Sequence, residues 1–344
     1  MIDTTKFFTF ISKDIYDIIK YKSNIKCMYN QSEDMIFYEI INSSLIGSYD
    51  SSLSVRVMDA SKYLQKGYVI EVEGSYHKII KGHNSYDGFY NIQEICLSMK
   101  KLVENAYNIK LPKLKHWFIQ RIDIAKCFDL NNNSNVKNYI NNFRTLTFPR
   151  RNLNFYEDES LYILGQTTTL KIYNKLKEFL KHDKKKLIKY NDFNVFEFCN
   201  KIDGFIRFEC EIKKKKIKSM YNNKNFIRVD SLKYSDFEKI WCDEFMKLLK
   251  FDNNEIKKVR DKESVYKRLN SYYDSRKASD LYNFYLAIKV DGEKFIKNNM
   301  TKTTFYRKRK ELKEAGVDFC GCYKIYEEDN LSVDFNPFYC KEVS

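Results

Sequence analysis

Hydrophobic and polar residues alternate along several short runs in the first two thirds of the chain. Alternation of this kind predicts β-strands, because successive side chains of a strand point to opposite faces of a sheet. Two of the runs flank Gly165 and predict a hairpin that turns there. The runs with this pattern are 54–58, 68–73, 77–80, 117–128, 160–164, 168–173 and 205–212.

Other segments repeat apolar residues at intervals of three and four, which predicts amphipathic helices. After about residue 230 the strand pattern largely ends, so we predict an α+β domain over 1–230 and a mainly helical domain over 231–344. In the last helix, Thr301 or Thr303 can cap the start and Gly316 suits the end. The predicted helices are 90–104, 136–146, 173–189, 235–251, 254–269, 277–290 and 301–316.

The composition is that of a folded protein without a membrane span. Of the 344 residues, 43% are hydrophobic and 16% aromatic, which is enough to bury a sizeable core. No run approaches 18 uninterrupted apolar residues, and the N-terminal apolar run is too short for a signal peptide. Nine scattered cysteines, with Cys320 and Cys322 the only close pair, predict reduced thiols and a cytoplasmic protein rather than a zinc site.

The charge is strongly positive, with 61 Lys and Arg against 46 Asp and Glu and a net charge of +15. An AT-rich coding sequence explains lysine in place of arginine, but it does not explain an excess of positive over negative charge. We therefore expect a polyanionic partner, and nucleic acid is the commonest one.

Three of the predicted strands place acidic residues on one face and apolar residues on the other. Asp123 shares its face with Arg121, Glu209 shares its face with Arg207, and Glu71 belongs to the third strand. A single strand of this kind usually belongs to a half-solvated antiparallel sheet. Three such strands favour one shared acidic face. Carboxylates that lie close together repel each other unless a metal ion or an arginine neutralises their charge. A divalent metal site is therefore one hypothesis for this face.

Tyr173 is the last residue of the predicted hairpin and lies among lysines, with Lys171 on the same strand face and Lys175 one step further on. A phenol has a pKa near 10, and neighbouring ammonium groups would favour its attack on a phosphate. The alternative is an amphipathic tyrosine at a strand–helix junction with solvated lysines. His83 lies in a loop after the Glu71 strand, where it either reaches the same face or serves only as a loop or capping residue.

The sequence contains no motif for ATP use or serine hydrolase chemistry, since it has neither a P-loop nor a nucleophile elbow. None of its four histidines forms a His-x-His metal pair.

Basic residues crowd the predicted C-terminal helix, whose Phe305 and Leu312 would pack inward. Short polar residues at its start and basic residues along its body suit a helix that lies in a DNA major groove or along phosphates. A solvated basic helix is an equally good interpretation. The basic residues that would contact DNA are Arg307, Lys308, Arg309 and Lys310.

Taken in order, several motifs resemble the gene II/X replication initiators of filamentous phages and related plasmids. The resemblance covers most of the chain, and it depends on the order and spacing of the motifs together. The motifs are Met1-Ile-Asp3, Val69-Ile-Glu-Val-Glu-Gly-Ser75, Lys78-Ile-Ile-Lys-Gly-His-Asn84, Arg121-Ile-Asp123, Leu170-Lys-Ile-Tyr-Asn-Lys175, Phe205-Ile-Arg-Phe-Glu-Cys-Glu-Ile-Lys213 and the helix near Thr304.

The resemblance implies a rolling-circle replication initiator of a bacterial host's phage or plasmid. Such an enzyme nicks one strand of the origin with a tyrosine, stays on the 5′-phosphate, leaves a 3′-hydroxyl for the host polymerase and later rejoins the displaced strand. It also implies a ferredoxin-like antiparallel sheet and Mg²⁺ or Mn²⁺, with a host helicase as a further partner.

By position, the resemblance places the nucleophile at Tyr173, assisted by Lys171 or Lys175. Metal or acid roles fall to Asp123, Glu209, Glu71 and His83, while Arg121 and Arg207 would clamp flanking phosphates. A non-catalytic DNA-binding regulator and a metal-dependent nuclease that uses water are the alternatives.

Overall fold

The computed structural model describes most of the chain. The described residues are 1–30, 35–46, 50–141, 143, 151–156, 159–190, 193–249, 262–317, 335, 337, 338, 340, 342 and 343.

Within these described residues, ten strands form one antiparallel sheet in the order β2-β3-β4-β5-β1-β6-β10-β9-β8-β7. The first strand of the chain lies near the middle of this sheet, between β5 and β6. The strands are β1 Ile2–Ile11, β2 Asn24–Asn30, β3 Met35–Ile46, β4 Ser52–Asp59, β5 Tyr68–Ser75, β6 Phe118–Asp129, β7 Asn152–Tyr156, β8 Ser160–Leu164, β9 Thr168–Asn174 and β10 Phe205–Lys213.

Helices connect the strands and make up the C-terminal region. Because β5 and β6 are both antiparallel to β1, they run parallel to each other on either side of it, and helix α3 joins them, as in a ferredoxin-like sheet. The helices are α1 Lys13–Tyr21, α2 Tyr76–Lys81, α3 Ile92–Tyr107, α4 Asn133–Asn141, α5 Lys175–His182, α6 Lys184–Leu187, α7 Val195–Lys201, α8 Lys214–Met220, α9 Tyr234–Leu249, α10 Lys262–Tyr272, α11 Ser275–Asp291, α12 Glu293–Asn298 and α13 Lys302–Glu314.

The largest hydrophobic core lies between the apolar face of the sheet and helices α3 and α9. Phe208 of β10 is fully buried there against the rings of Trp241 and Phe245. The indole N–H of Trp241 donates to the backbone oxygen of Phe208 at 3.1 Å, so its polar atom is satisfied inside the core.

A second core joins helices α10 to α13, and its residues run from Val265 to Val317. Helix α9, which follows residue 230, packs on the sheet core instead of on this second cluster. The division of the chain near residue 230 stays a prediction.

The α+β class and the antiparallel sheet are confirmed. The predicted hairpin forms as β8 and β9, and the strands predicted over 117–128 and 205–212 form as β6 and β10. The helix predicted over 254–269 falls partly outside the described residues, as do Cys320 and Cys322.

The strand predicted over 77–80 is wrong, because these residues belong to helix α2. The Ser75 side chain caps that helix by accepting from the N–H of Lys78, and Gly82 ends it with φ +76°. An apolar run of four residues is too short to separate a period of 2 from one of 3.6.

Truncation of the central aromatic residue tests this packing. Phe208→Ala should lower the free energy of unfolding by about 3–5 kcal/mol, because it leaves a cavity between the sheet and α9. Urea unfolding measures this change. Phe196→Ala is the matched control, since Phe196 is 76% exposed, and it should cost less than about 0.5 kcal/mol. Equal losses in the two variants would contradict the described core.

Candidate active site

Strands β9 and β10 bring Tyr173 and Glu209 together on the polar face of the sheet. The register pairs Tyr173 with Arg207 and Lys171 with Glu209, so all four side chains share one face. The Tyr173 hydroxyl donates to Glu209 Oε2 at 3.0 Å, and Lys171 Nζ donates to Glu209 Oε1 at 2.6 Å. One carboxylate therefore holds both the candidate nucleophile and a lysine.

Burial and this carboxylate both favour the protonated form of Tyr173. Burial and then the charge of Glu209 raise the pKa of Tyr173 well above the usual range of a phenol. Tyr173 is only 6% exposed and Glu209 only 3%. The hydroxyl can therefore act as a nucleophile only if its proton is removed, and Glu209 is the base in contact with it.

Arg207 lies beneath this pair, fully buried. Its guanidinium lies 3.7 Å from Glu209 through Nε and 3.2 Å from Asp3 through Nη2, and it donates to the backbone oxygen of Asn84. Asp3 in turn accepts from Asn84 Nδ2 at 2.6 Å. Arg207 was predicted to clamp DNA phosphates, but in this arrangement it ties β1 and the Asn84 loop to the carboxylate.

The acidic face predicted from the sequence is present, and arginine and lysine neutralise it. Arg121 donates to both oxygens of Asp123, at 2.8 and 2.5 Å, and to Glu73 at 3.0 Å. Burial raises the pKa of Asp123 above its ordinary value, although Arg121 opposes this rise. Asp123 is fully buried, so the face is not the solvated half of an ordinary sheet.

Glu71 lies further along the same face with 1% exposure. It accepts from Lys62 at 2.8 Å and from Tyr63 at 2.6 Å, and Lys6 lies 3.0 Å from its other oxygen. Burial opposes the ionisation of Glu71, yet these partners lower its pKa to about 2.

Lys175 begins helix α5 and is fully buried. Its ammonium donates to Asn84 Oδ1 at 2.6 Å and pairs with Glu178. Burial opposes the charge on Glu178, but Lys175 and Lys78 lower its pKa to about 2. Of the two predicted lysines, Lys171 contacts the carboxylate that holds Tyr173, and Lys175 joins the neighbouring network.

His83 lies beside a second buried histidine, His77, with ring centroids 5.5 Å apart. Burial lowers the pKa of His77 to about 4 and that of His83 to about 3, so both rings are neutral at pH 7. Among the described residues, neither ring nitrogen of His77 has a hydrogen-bond partner. The sequence pattern gave no sign of this residue, because the pattern over residues 77–80 predicts a strand and the residues form helix α2.

The four predicted metal ligands do not form a metal centre as arranged. Glu71, Asp123 and Glu209 are each paired with lysine or arginine, and His83 lies between the rings of Tyr86 and Phe198. Within the described part of the chain, no group of three or more His, Cys, Asp or Glu side chains is placed to hold a metal ion.

Helices α12 and α13 form a helix-turn-helix, joined by residues 299–301 and packed on α11. The Thr301 hydroxyl caps α13 by accepting from the N–H of Thr304 at 3.3 Å. Lys308 pairs with Asp280 at 2.6 Å, and Arg309 pairs at 3.2 Å with Glu293, which is 1% exposed.

The predicted DNA contacts on α13 thus divide into two faces. Lys308 and Arg309 lie against the domain, whereas Arg307 and Lys310 are exposed. Lys302, Thr303 and Tyr306 are exposed on the helix as well. The outward face is therefore polar and mostly basic.

Residues 1–236 match the family described as the N-terminal part of the gene II replication-associated protein. The chain belongs to this family. A search of curated proteins found no match. The resemblance to gene II-like initiators of filamentous phages is thereby confirmed, and a role in replication initiation with DNA as partner follows from the family. Over the described ranges, we find no helix with the length and hydropathy of a membrane span.

The family match covers the sheet and ends within α9, so it includes every residue around Tyr173. The structure adds Asp3, Asn84 and His77 to the residues found from the sequence. Asp3 and Asn84 lie in two of the segments that carry the resemblance. Their proximity to Arg207 was not visible from the sequence, because Asp3 and Asn84 lie 204 and 123 positions away from Arg207 in the chain.

The buried histidines predict a specific pH dependence of stability. Their folded pKa values lie below the ordinary 6.5, so below pH 6.5 the unfolded chain binds protons that the folded protein does not. Stability is therefore present above pH 6.5 and lost as the pH falls toward about 4. We expect a loss of about 2 kcal/mol for each buried histidine between pH 7 and pH 5.

Urea unfolding at both pH values measures this loss. In His77→Leu the difference between pH 7 and pH 5 should shrink, whereas His182→Leu, which changes an exposed histidine, should leave it unchanged. A difference of the same size in His77→Leu would show that His77 does not contribute to it.

Proposed function

We propose that this protein nicks one strand of its replication origin through a covalent link between Tyr173 and the 5′-phosphate, and that it later reverses this step. The observation that carries the proposal is the hydrogen bond from the Tyr173 hydroxyl to Glu209 on the neighbouring strand. Tyr63 also donates to a buried carboxylate that pairs with lysine, Glu71. Tyr173 differs from Tyr63 because it lies within a segment that carries the resemblance.

In the proposed step, the Tyr173 oxygen attacks the scissile phosphorus while its proton passes to Glu209. The bond between phosphorus and the 3′-oxygen breaks, and the 3′-oxygen leaves as a hydroxyl after it takes up a proton, for which protonated Glu209 is the source. One phosphodiester is exchanged for another, so the energy of the bond is kept and rejoining needs no nucleotide. The absence of a P-loop from the sequence is consistent with this chemistry.

Lys171 has one role before the proton transfer to Glu209 and another after it. In the resting protein it pairs with the ionised Glu209. When Glu209 takes the phenolic proton, this pairing weakens and the ammonium is free to stabilise negative charge on the phosphate or the phenolate. Because Tyr173 is nearly buried, the DNA must displace the side chains that cover it before the attack.

We also propose that the reaction requires Mg²⁺ or Mn²⁺. A cation at Asp123 or Glu209 would have to replace Arg121 or Lys171, which occupy these carboxylates. The two neutral histidines offer only two further ligands.

We also propose that α13 binds duplex DNA at the origin. The supporting observation is the helix-turn-helix with an exposed, mostly basic second helix. In such motifs the second helix enters the major groove, and basic residues on it contact phosphates or guanine edges.

The nucleophile is tested by incubating the protein with supercoiled DNA of its own replicon and Mg²⁺ or Mn²⁺. A denaturing gel should show a covalent protein–DNA adduct that Tyr173→Phe abolishes. Tyr162→Phe is the matched control, because Tyr162 pairs with Lys171 across β8 and β9 and so lies on the same face. It should retain the adduct.

Three other outcomes of the adduct experiment would each support a different mechanism. An adduct that survives in Tyr173→Phe but disappears in Tyr162→Phe would move the nucleophile to β8. Nicking without an adduct in the native protein would indicate a nuclease that uses water. Binding without nicking in either metal would indicate a DNA-binding regulator.

The duplex-binding helix is tested by the salt dependence of affinity for an origin duplex. Arg307→Ala with Lys310→Ala should lower the slope of log K against log salt by about 1.8, since each phosphate contact contributes about 0.9. Lys262→Ala with Lys267→Ala removes the same charge from an exposed part of α10 and should leave the slope unchanged. Equal slopes for both double variants would exclude α13 as the contact surface.

A further inference from the structure

Five aromatic residues cluster on the polar face of the sheet, away from Tyr173. We define this aromatic patch as Phe8, Phe10, Tyr63, Phe118 and Phe226. Their ring centroids lie 4.4 to 6.4 Å apart. Phe8 and Tyr63 are buried at the base of the patch, whereas Phe10, Phe118 and Phe226 are partly exposed.

The register places the aromatic patch on the same face as the candidate active site. Phe8 pairs with Phe118, and Lys6, two positions earlier on β1, pairs with Arg121. Arg121 belongs to the polar face that carries Glu209 and Tyr173. On β6, Ala125 pairs with Glu209. The distance along the strand from Phe118 to Ala125 is about 23 Å, at about 3.3 Å per residue.

Two lysines lie close to the Tyr63 ring of the aromatic patch. Lys214 Nζ lies 4.8 Å from the centre of the Tyr63 ring, and Lys62 Nζ lies 5.8 Å from it. Burial and then the nearby Lys218 and Lys62 lower the pKa of Lys214. Among the described residues, Lys214 has no acidic partner within ion-pair distance.

We propose that the aromatic patch binds the unpaired strand that leads to Tyr173. Bases would stack on the partly exposed rings of Phe10, Phe118 and Phe226, and Lys62, Lys214 and Lys218 would contact its phosphates. Aromatic rings beside a basic groove are the combination with which proteins hold single-stranded nucleic acid. This inference rests on the proposed function, because it gives the nicked strand its path across the sheet.

The chemistry of the patch favours a single strand over the other candidate partners. The bases of a duplex are stacked on each other, so they present no free face to a phenylalanine ring. A protein partner would need acidic residues to meet the lysines, whereas DNA supplies a phosphate for every base that it stacks. The patch also lies on the same face of the sheet as Tyr173.

The test measures binding of a fluorescent single-stranded oligothymidine to the full chain by anisotropy. It is made with Tyr173→Phe as the parent, so no covalent step contributes. Phe118→Leu with Phe226→Leu keeps apolar packing but removes two stacking faces, and it should weaken binding about tenfold or more. Phe196→Leu, on exposed α7, is the aromatic control and should bind as the parent does.

The lysines are tested separately by the salt dependence of the same binding. Lys214→Gln with Lys218→Gln should lower the slope of log K against log salt by about 1.4, since a single-strand phosphate contact contributes about 0.7. The phenylalanine variant should keep the parental slope while it loses affinity. Lys214 and Lys218 are partly exposed on α8, and these substitutions leave the five rings of the aromatic patch unchanged.

Parental affinity in the phenylalanine variant together with a parental slope in the lysine variant would overturn the proposal. Photocrosslinking with a halogenated oligothymidine gives a second reading that needs no substitution. Crosslinks on the aromatic patch support the proposal, and crosslinks confined to α13 contradict it. These results are independent of nicking, so a failed adduct test leaves them interpretable.

Discussion

The buried carboxylate of Glu209 is the group on which the rest of this site depends. It accepts from the Tyr173 hydroxyl, pairs with Lys171 and lies beside the guanidinium of Arg207. A buried charge without partners is costly, and these contacts compensate the charge of the carboxylate. The same contacts hold the phenol in a fixed position next to a base, which is the condition for its use as a nucleophile.

The polar face of the sheet extends this arrangement in both directions. Toward β1, Arg207 connects Glu209 to Asp3, and along β6 Arg121 connects Asp123 to Glu73. Removing one partner from such a network leaves an uncompensated charge, so single substitutions here affect stability as well as chemistry. Paired control variants are therefore needed to separate the two effects.

Much of the polar face of the sheet could be predicted from the sequence. Its period of two assigned Asp123 and Glu209 to one face, because that period is a property of the strand itself. The burial of the face was not predictable, since it depends on α5 and on contacts distant in the chain. On α13 the helical period alone predicts which basic residues face inward. Lys308 and Arg309 follow the buried Phe305 by three and four positions, so they share its inward face.

The most direct test of the account is the pH dependence of adduct formation in Glu209→Gln. If Glu209 takes the phenolic proton, the variant should lose about a hundredfold or more of the rate at pH 7, and it should recover part of the loss as the pH rises and hydroxide removes the proton. A variant that forms the adduct at the native rate at pH 7 would show that Glu209 is not the base, and the central claim would be wrong.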